Sequence, residues 1–257
     1  DIAQAKKLFA DARFRPDTLK VYPCVVVPHS ELYDWWKAGK YQPYDDQTLL
    51  DVLIKIKQLV PRYCRIDRLV RDISRQWTAA GTLRTNMRQM ANAKLRQQDA
   101  TCVCIRCREI KNQSARFDHI RLKTTVYRTS GGEEHFIEVI DDRDNLYGLL
   151  RLRFPGRQAQ KQPLFPVLKQ GALIRELQVF GQQLPLSTPG VESSRHAGKR
   201  YSQHRSLGKQ LMIEAENQAR KGGYKKLAII SGVGVRNYYR KLGYRLQGTY
   251  MVKSLRL

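Results

Sequence analysis

The chain has 257 residues, 42% hydrophobic and 27% charged, which gives a globular protein with length for one large domain or two ordinary ones. Lysine and arginine number 47 against 23 aspartates and glutamates, a formal charge of +24, so the expected partner is a polyanion, nucleic acid or an anionic membrane surface. A disulfide framework and a membrane span are excluded: the cysteines number an odd five, three of them within six residues, and no apolar run reaches the roughly 18 residues of a span. A reducing cytosol with a metal site fits this cysteine usage better. The first residue is Asp1 and no signal-peptide pattern follows, so a fragment or a processed form is expected.

Residues 19–27 (LKVYPCVVV) read as a buried strand. A helix is predicted over 46–60, with Leu49, Leu50, Leu53 and Ile56 on one apolar face and Pro61 as its stop. Residues 63–70 suit a strand, although Arg65, Arg68, Arg71 and Arg75 also recur at helical spacing. Residues 83–97 read as helix. This alternation is that of a parallel α/β domain, with too few strands to close a barrel alone.

After residue 120 the pattern changes. Strands are predicted at 135–140, 146–154 and 172–180, with turns at Gly131–Gly132 and Arg143–Asn145. In 146–154, Leu149, Arg151 and Arg153 alternate with Leu150, Leu152 and Phe154, so one face is expected to be partly solvated. Residues 155–171 and 185–203 read as loops. A helix over 206–221 ends at Gly222–Gly223, a short strand covers 226–230, a second helix 234–242 and a last strand 244–253. Residues 120–257 thus form a mixed α/β domain.

The excess charge lies in two stretches. Residues 62–128 carry 16 basic against 5 acidic side chains, and residues 185–257 carry 15 against 3. Arg65, Arg68 and Arg71 in the first, and Arg195, Lys199, Arg200 and Arg205 in the second, are the candidate nucleic-acid contacts.

Cys102, Cys104 and Cys107 form the run CVCIRC. On a strand, residues 102 and 104 share a face, and a local turn brings in Cys107. Three thiolates so close repel unless a soft cation holds them, and zinc is the usual one. Cys24, His29, Cys64 and His119 are candidates for a fourth ligand, with no choice among them.

Residues 203–209 (QHRSLGK) begin the 206–221 helix, whose free N–H groups can hold a phosphate; capping by Ser206 accounts for them equally well. In 231–244 (SGVGVRNYYRKLGY), a turn after a strand leads to Tyr238 and Tyr239 on a short helix. A tyrosine there can protonate a leaving thiolate; packing in the core is the other reading.

The runs RELQVFG (175–181), QHRSLG (203–208) and ISGVGVRNYYRKLGYRLQGTYMVK (230–253) resemble the GNAT-type acetyltransferase domain of the catalytic subunit of Elongator. FRPDTLKVYPCVVV, ELYDWWKAGKYQPY, RIDRLVRDI and CVCIRCREI are similar to the end of that family's radical S-adenosylmethionine barrel and its zinc-bearing linker. The resemblance covers nearly the whole chain. It implies the last part of a barrel at 1–98, a zinc linker at 99–125 and a GNAT domain at 126–257.

In that family, the reaction builds a carboxymethyl-type group at carbon 5 of the wobble uridine of tRNA. By resemblance, the strand Glu176, Leu177, Gln178 and Val179 pairs with the pantetheine arm of acetyl-CoA. Leu207, Gly208 and Lys209 hold the pyrophosphate. Tyr239, Tyr238 and Glu176 are the implied catalytic group, and Cys102, Cys104 and Cys107 the zinc ligands. The implied partner is the tRNA anticodon stem-loop, with other Elongator subunits in a eukaryote-like assembly, in the cytoplasm and without a membrane. S-adenosylmethionine and a 4Fe-4S cluster are expected only in polypeptide upstream of residue 1. Ser206 stands where the family has glycine, which narrows the phosphate space. A protein-lysine or small-amine N-acetyltransferase and a non-catalytic tRNA-binding module are the competing functions.

Overall fold

The computed structural model describes residues 1–71, 73–111, 119–181 and 207–255. The chain divides into two compact units, Asp1–Cys107 and Arg108–Leu257.

In the first unit, α1 (Ile2–Ala10) leads to β1 (Thr18–Lys20), α2 (Glu31–Lys37) and α3 (Asp46–Leu59). Asp45 caps α3 by accepting the Thr48 N–H at 2.8 Å, and Leu49, Leu50, Leu53, Ile54 and Ile56 are buried along its inner face. The chain turns extended at Val60, before Pro61, which cannot continue the helix. β2 (Arg65–Arg68) pairs in parallel with β1. On α4 (Met87–Gln97), Met87, Ala91 and Leu95 recur every fourth residue and are buried. The expected strand 19–27 is shorter than its apolar run. Pro23 has no N–H for a ladder, and beyond it only Val26 is bridged, to Ala80. Two strands close no barrel, and a cavity of about 770 Å³ lies among Leu8 of α1, Leu19 of β1 and Leu49 and Leu53 of α3.

The second unit is one seven-stranded mixed sheet in the order β3-β4-β5-β6-β7-β9-β8. β3 (Arg121–Thr129), β4 (Gly132–Ile140), β5 (Leu146–Pro155) and β6 (Gly171–Val179) are antiparallel neighbours. β6 and β7 (Lys226–Ile230) are parallel, with α7 (Leu207–Lys221) between them in sequence. Leu207, Leu211, Met212, Ala215 and Ala219 form the buried face of α7. Beyond Lys221, Gly223 takes a φ of +76°, which ends the helix. α8 (Arg236–Lys241) follows, and the expected last strand is a hairpin, β8 (Arg245–Gln247) and β9 (Tyr250–Ser254), broken at Gly248 with φ +59°.

The structure corrects the reading of β5 as half-solvated: this central strand is buried on both faces from Leu146 to Leu152. Arg151 is 1% exposed because its guanidinium reaches Glu176 at 2.7 Å and lies over the Phe136 ring. The helical reading of the Arg65, Arg68, Arg71 spacing also fails. Arg65 and Arg68 are on β2, three residues apart and so on opposite faces, and Arg71 lies beyond it.

Candidate functional sites

The sheet opens at its one parallel pair. β7 pairs with β6 only from Gly171 to Ile174, and the β5–β6 register slips beside Arg175. From there to Val179, β6 has no pairing to β7, so among the described residues Glu176–Val179 present backbone donors and acceptors on that edge. The first turn of α7 adjoins this edge: a methyl group built on Gly208 would be 3.8 Å from Val179 Cγ2 and 2.9 Å from the Tyr238 hydroxyl. The strand edge, the helix N-terminus and α8 therefore meet at Gly208. Leu207 is buried and Lys209 is exposed on that first turn. Unpaired N–H groups at such a terminus favour an anion.

Tyr238 is 38% exposed, whereas Tyr239 is 7% exposed, its ring edge-on to Tyr238 at 5.2 Å and to Tyr244 at 6.2 Å. Burial raises the pKa of both, and for Tyr239 the neighbouring Tyr238 adds to it. Both hydroxyls thus stay protonated at neutral pH, as a proton donor must. The Glu176 carboxylate is bonded to Arg151, and its place on β6 is thereby fixed.

Below α8, Glu216 of α7 accepts from the Tyr244 hydroxyl at 3.0 Å and from Lys253 Nζ at 2.8 and 2.9 Å. One buried carboxylate thus ties α7, the end of α8 and β9 together. Sequence patterning gave no sign of it, because a glutamate in a charged helix reads as solvated.

In the first unit, the sulfur atoms of Cys102, Cys104 and Cys107 lie within 4.8 Å of one another, a group able to hold a metal ion. Their convergence does not come from a strand. Residues 101–103 belong to no strand, and the short helix α5 (Ile105–Arg108) turns Cys107 back, with its N–H on the Cys104 carbonyl at 3.0 Å. The Cys104 pKa is lowered, first by its hydrogen bond with Cys102 and then by that with Cys107; the same bonds and burial raise Cys102. Among the described residues, no fourth His, Cys, Asp or Glu joins the three. Cys64 Sγ instead faces the Arg65 carbonyl at 3.9 Å, and His119 Nδ1 lies 3.7 Å from Asp142.

Of the candidate nucleic-acid residues, Arg68 and Arg71 are exposed and Arg65 is half-buried against Asp67 at 3.0 Å. Arg195, Lys199, Arg200, Arg205 and Ser206 lie outside the described residues.

Residues 16–97 match the Radical_SAM C-terminal domain. The chain is thus an α/β protein in which a radical-SAM-type segment precedes a mixed sheet split at its parallel pair. It is 42% identical to a tRNA uridine(34) acetyltransferase of Dehalococcoides mccartyi, over 99% of this chain and 54% of that protein. It is 39% identical to human Elongator complex protein 3, over 100% of this chain and 46% of that one. Among solved structures, the archaeal Methanocaldococcus infernus Elp3 with an N-terminal deletion superposes with a TM-score of 0.84 at 34% identity, covering 99% of this chain and 60% of that one. Nearly the whole chain is thus similar to proteins named Elongator complex protein 3 and tRNA uridine(34) acetyltransferase, and it spans about half the length of the curated relatives it matches.

Proposed function

We propose that this chain is the acetyl-CoA- and tRNA-handling part of an enzyme that builds a carboxymethyl-type group at carbon 5 of the wobble uridine of tRNA. Kinship to proteins named tRNA uridine(34) acetyltransferase supports the substrate class. The observation that carries the acetyl-CoA reading is the meeting of the open β6 edge, the α7 N-terminus and the Tyr238 hydroxyl at Gly208.

In this reading, the backbone of Glu176, Leu177, Gln178 and Val179 pairs with the amides of the pantetheine arm. The N–H groups of Leu207, Gly208 and Lys209 take the pyrophosphate. A tyrosine hydroxyl protonates the departing thiolate, with Tyr239 in that role and Tyr238 beside the helix terminus. Glu176 contributes its place on the strand, where Arg151 holds one of its two carboxylate oxygens. Residues 1–98, 99–125 and 126–257 are the proposed barrel portion, metal linker and acyltransferase domain. S-adenosylmethionine with a 4Fe-4S cluster, when bound, supplies the radical; no residue of this chain is assigned to hold them.

The cysteine group suits zinc, because three soft sulfur ligands within 4.8 Å of one another, repelling as thiolates, gain from a dication with no geometric preference of its own. Arg65, Arg68, Arg71, Arg195, Lys199, Arg200 and Arg205 are the proposed tRNA contacts, in the cytoplasm. Among the described residues, no helix is long and apolar enough to cross a membrane.

The test is release of free CoA thiol from acetyl-CoA, with and without tRNA, and with a histone-like peptide as rival acceptor. Release that rises with tRNA and leaves the peptide unmodified is expected. Acetylated peptide with no response to tRNA would overturn the assignment.

A further inference from the structure

Lys57 is fully buried, the only lysine so placed among the described residues. Helix periodicity explains why it faces inward: it follows Leu50 and Leu53 by seven and four residues on the buried stripe of α3. An ammonium in such a place costs free energy unless an anion meets it. The hydrogen-bond partner the fold provides is the Cys107 sulfur, 3.5 Å from Nζ. A neutral thiol is a weak acceptor and offers little return for that burial, whereas a thiolate accepts strongly.

Charge arithmetic then selects the state of the site. Three thiolates alone bring −3 into a mostly buried volume. A dication with three thiolates is −1, and one lysine cancels it. A second cation, Arg88, interacts electrostatically with all three cysteines and with Arg106; it donates to the carbonyls of Ile66 and Asp67 at 2.8 and 3.2 Å, and its Nη1 is buried with no hydrogen-bond partner among the described residues.

We propose that Lys57 is a positioning residue of the metal centre. Its N–H···S bond orients Cys107, and its charge neutralises a dication held by three thiolates. The inference rests on the reading of the cysteines as metal ligands. It explains why a lysine occupies a helix position that burial reserves for a hydrophobe. It also implies that the lysine helps only the loaded form: without a metal, Lys57 is a buried charge facing thiols.

The experiment measures zinc affinity by competition with a chromogenic chelator, on the full chain and on Lys57→Met and Lys57→Arg. Melting temperatures of the metal-free and zinc-loaded forms are recorded for each. Outer-shell partners usually contribute about 10- to 100-fold in metal affinity, so Lys57→Met is expected to weaken zinc binding by that factor. Lys57→Arg, which keeps the charge and a donor, should stay within about threefold on the same scale. The metal-free melting temperature of Lys57→Met is expected to equal or exceed that of the parent. If Lys57→Met does not fold, Lys57→Gln, which fills similar space without the charge, carries the same comparison and the same expected direction. Undiminished zinc affinity in a folded variant, or equal loss of stability in both forms, overturns the proposal and leaves the metal reading intact. Failure of the parent chain to bind zinc overturns both.

Discussion

Gly208 is where the acetyl-CoA reading is most exposed to refutation. A methyl group there would lie 2.9 Å from the Tyr238 hydroxyl, closer than carbon and oxygen approach without one of them moving. Gly208→Ala is therefore expected to weaken acetyl-CoA binding by about tenfold, in the range of a modest overpacking cost. Tyr238→Phe removes the colliding oxygen, so the double variant should recover part of that loss, and calorimetry on the four proteins measures the coupling. Equal losses in the single and double variants would show that the tyrosine and the glycine do not face one site. Tyr239→Phe keeps the packed ring and is expected to cut thiol release by about 10², with affinity little changed, as loss of a general acid does. A silent Tyr239→Phe would pass the proton to Tyr238. These positions were legible as candidates because the glycine, the tyrosine pair and their motif are local in sequence. Lys57, Arg151 and Glu216 were not: their partners lie 50, 25 and 37 residues away, and a charged residue reads as solvated until the partner is known.

Among the elements, α3, α7 and β7 follow directly from periodicity, because each buries one continuous apolar face or run. β3 escaped sequence reading since it is an edge strand with exposed Arg121, Leu122 and Lys123, so its pattern has no buried side to announce. The slip beside Arg175 and the early end of the β6–β7 ladder are also silent in sequence, being properties of two strands' register. The joint of α7, α8 and β9 at Glu216 yields a pH signature. Burial first, then the Glu216 charge, raises the Tyr244 pKa above its ordinary 10.0. The folded state thus binds this proton more tightly than the unfolded chain does. Its stabilisation is complete below about pH 10 and is lost as pH climbs toward the folded value. The melting temperature of the parent is expected to fall more steeply above pH 10 than that of Tyr244→Phe. Near pH 7 the variant should be less stable by roughly 1.5–3 kcal/mol, the usual worth of a hydrogen bond to a charged acceptor. Parallel curves above pH 10 would remove Tyr244 from the alkaline transition.

For the molecule as a whole, fold class and the likeness to Elongator proteins were legible, because both units carry motifs that survive without knowledge of their packing. The proposed tRNA surface was legible only as charge. Composition gives +24, but it does not say which arginines face outward: of the three on the first stretch, Arg65 turns to Asp67 while Arg68 and Arg71 stay exposed. What the charge does fix is the form of the binding law. Each phosphate neutralised by a lysine or arginine releases condensed counterions, so log affinity falls linearly with log salt. A surface making about six to ten phosphate contacts loses roughly 10³- to 10⁵-fold in affinity between about 50 and 200 mM salt. That range is expected here for tRNA binding, measured by fluorescence anisotropy over at least four salt concentrations. Arg68→Ala and Arg71→Ala should each lower the slope by about one and leave the melting temperature within about 1 °C, since both side chains are exposed. Arg65→Ala is expected to move the slope less, because its guanidinium already has an acidic partner. Affinity that hardly responds to salt would mean that base or shape contacts dominate, and the excess charge would then need another explanation. A steep parent slope unchanged in the Arg68 and Arg71 variants would move the phosphate contacts to the second basic stretch, residues 185–257.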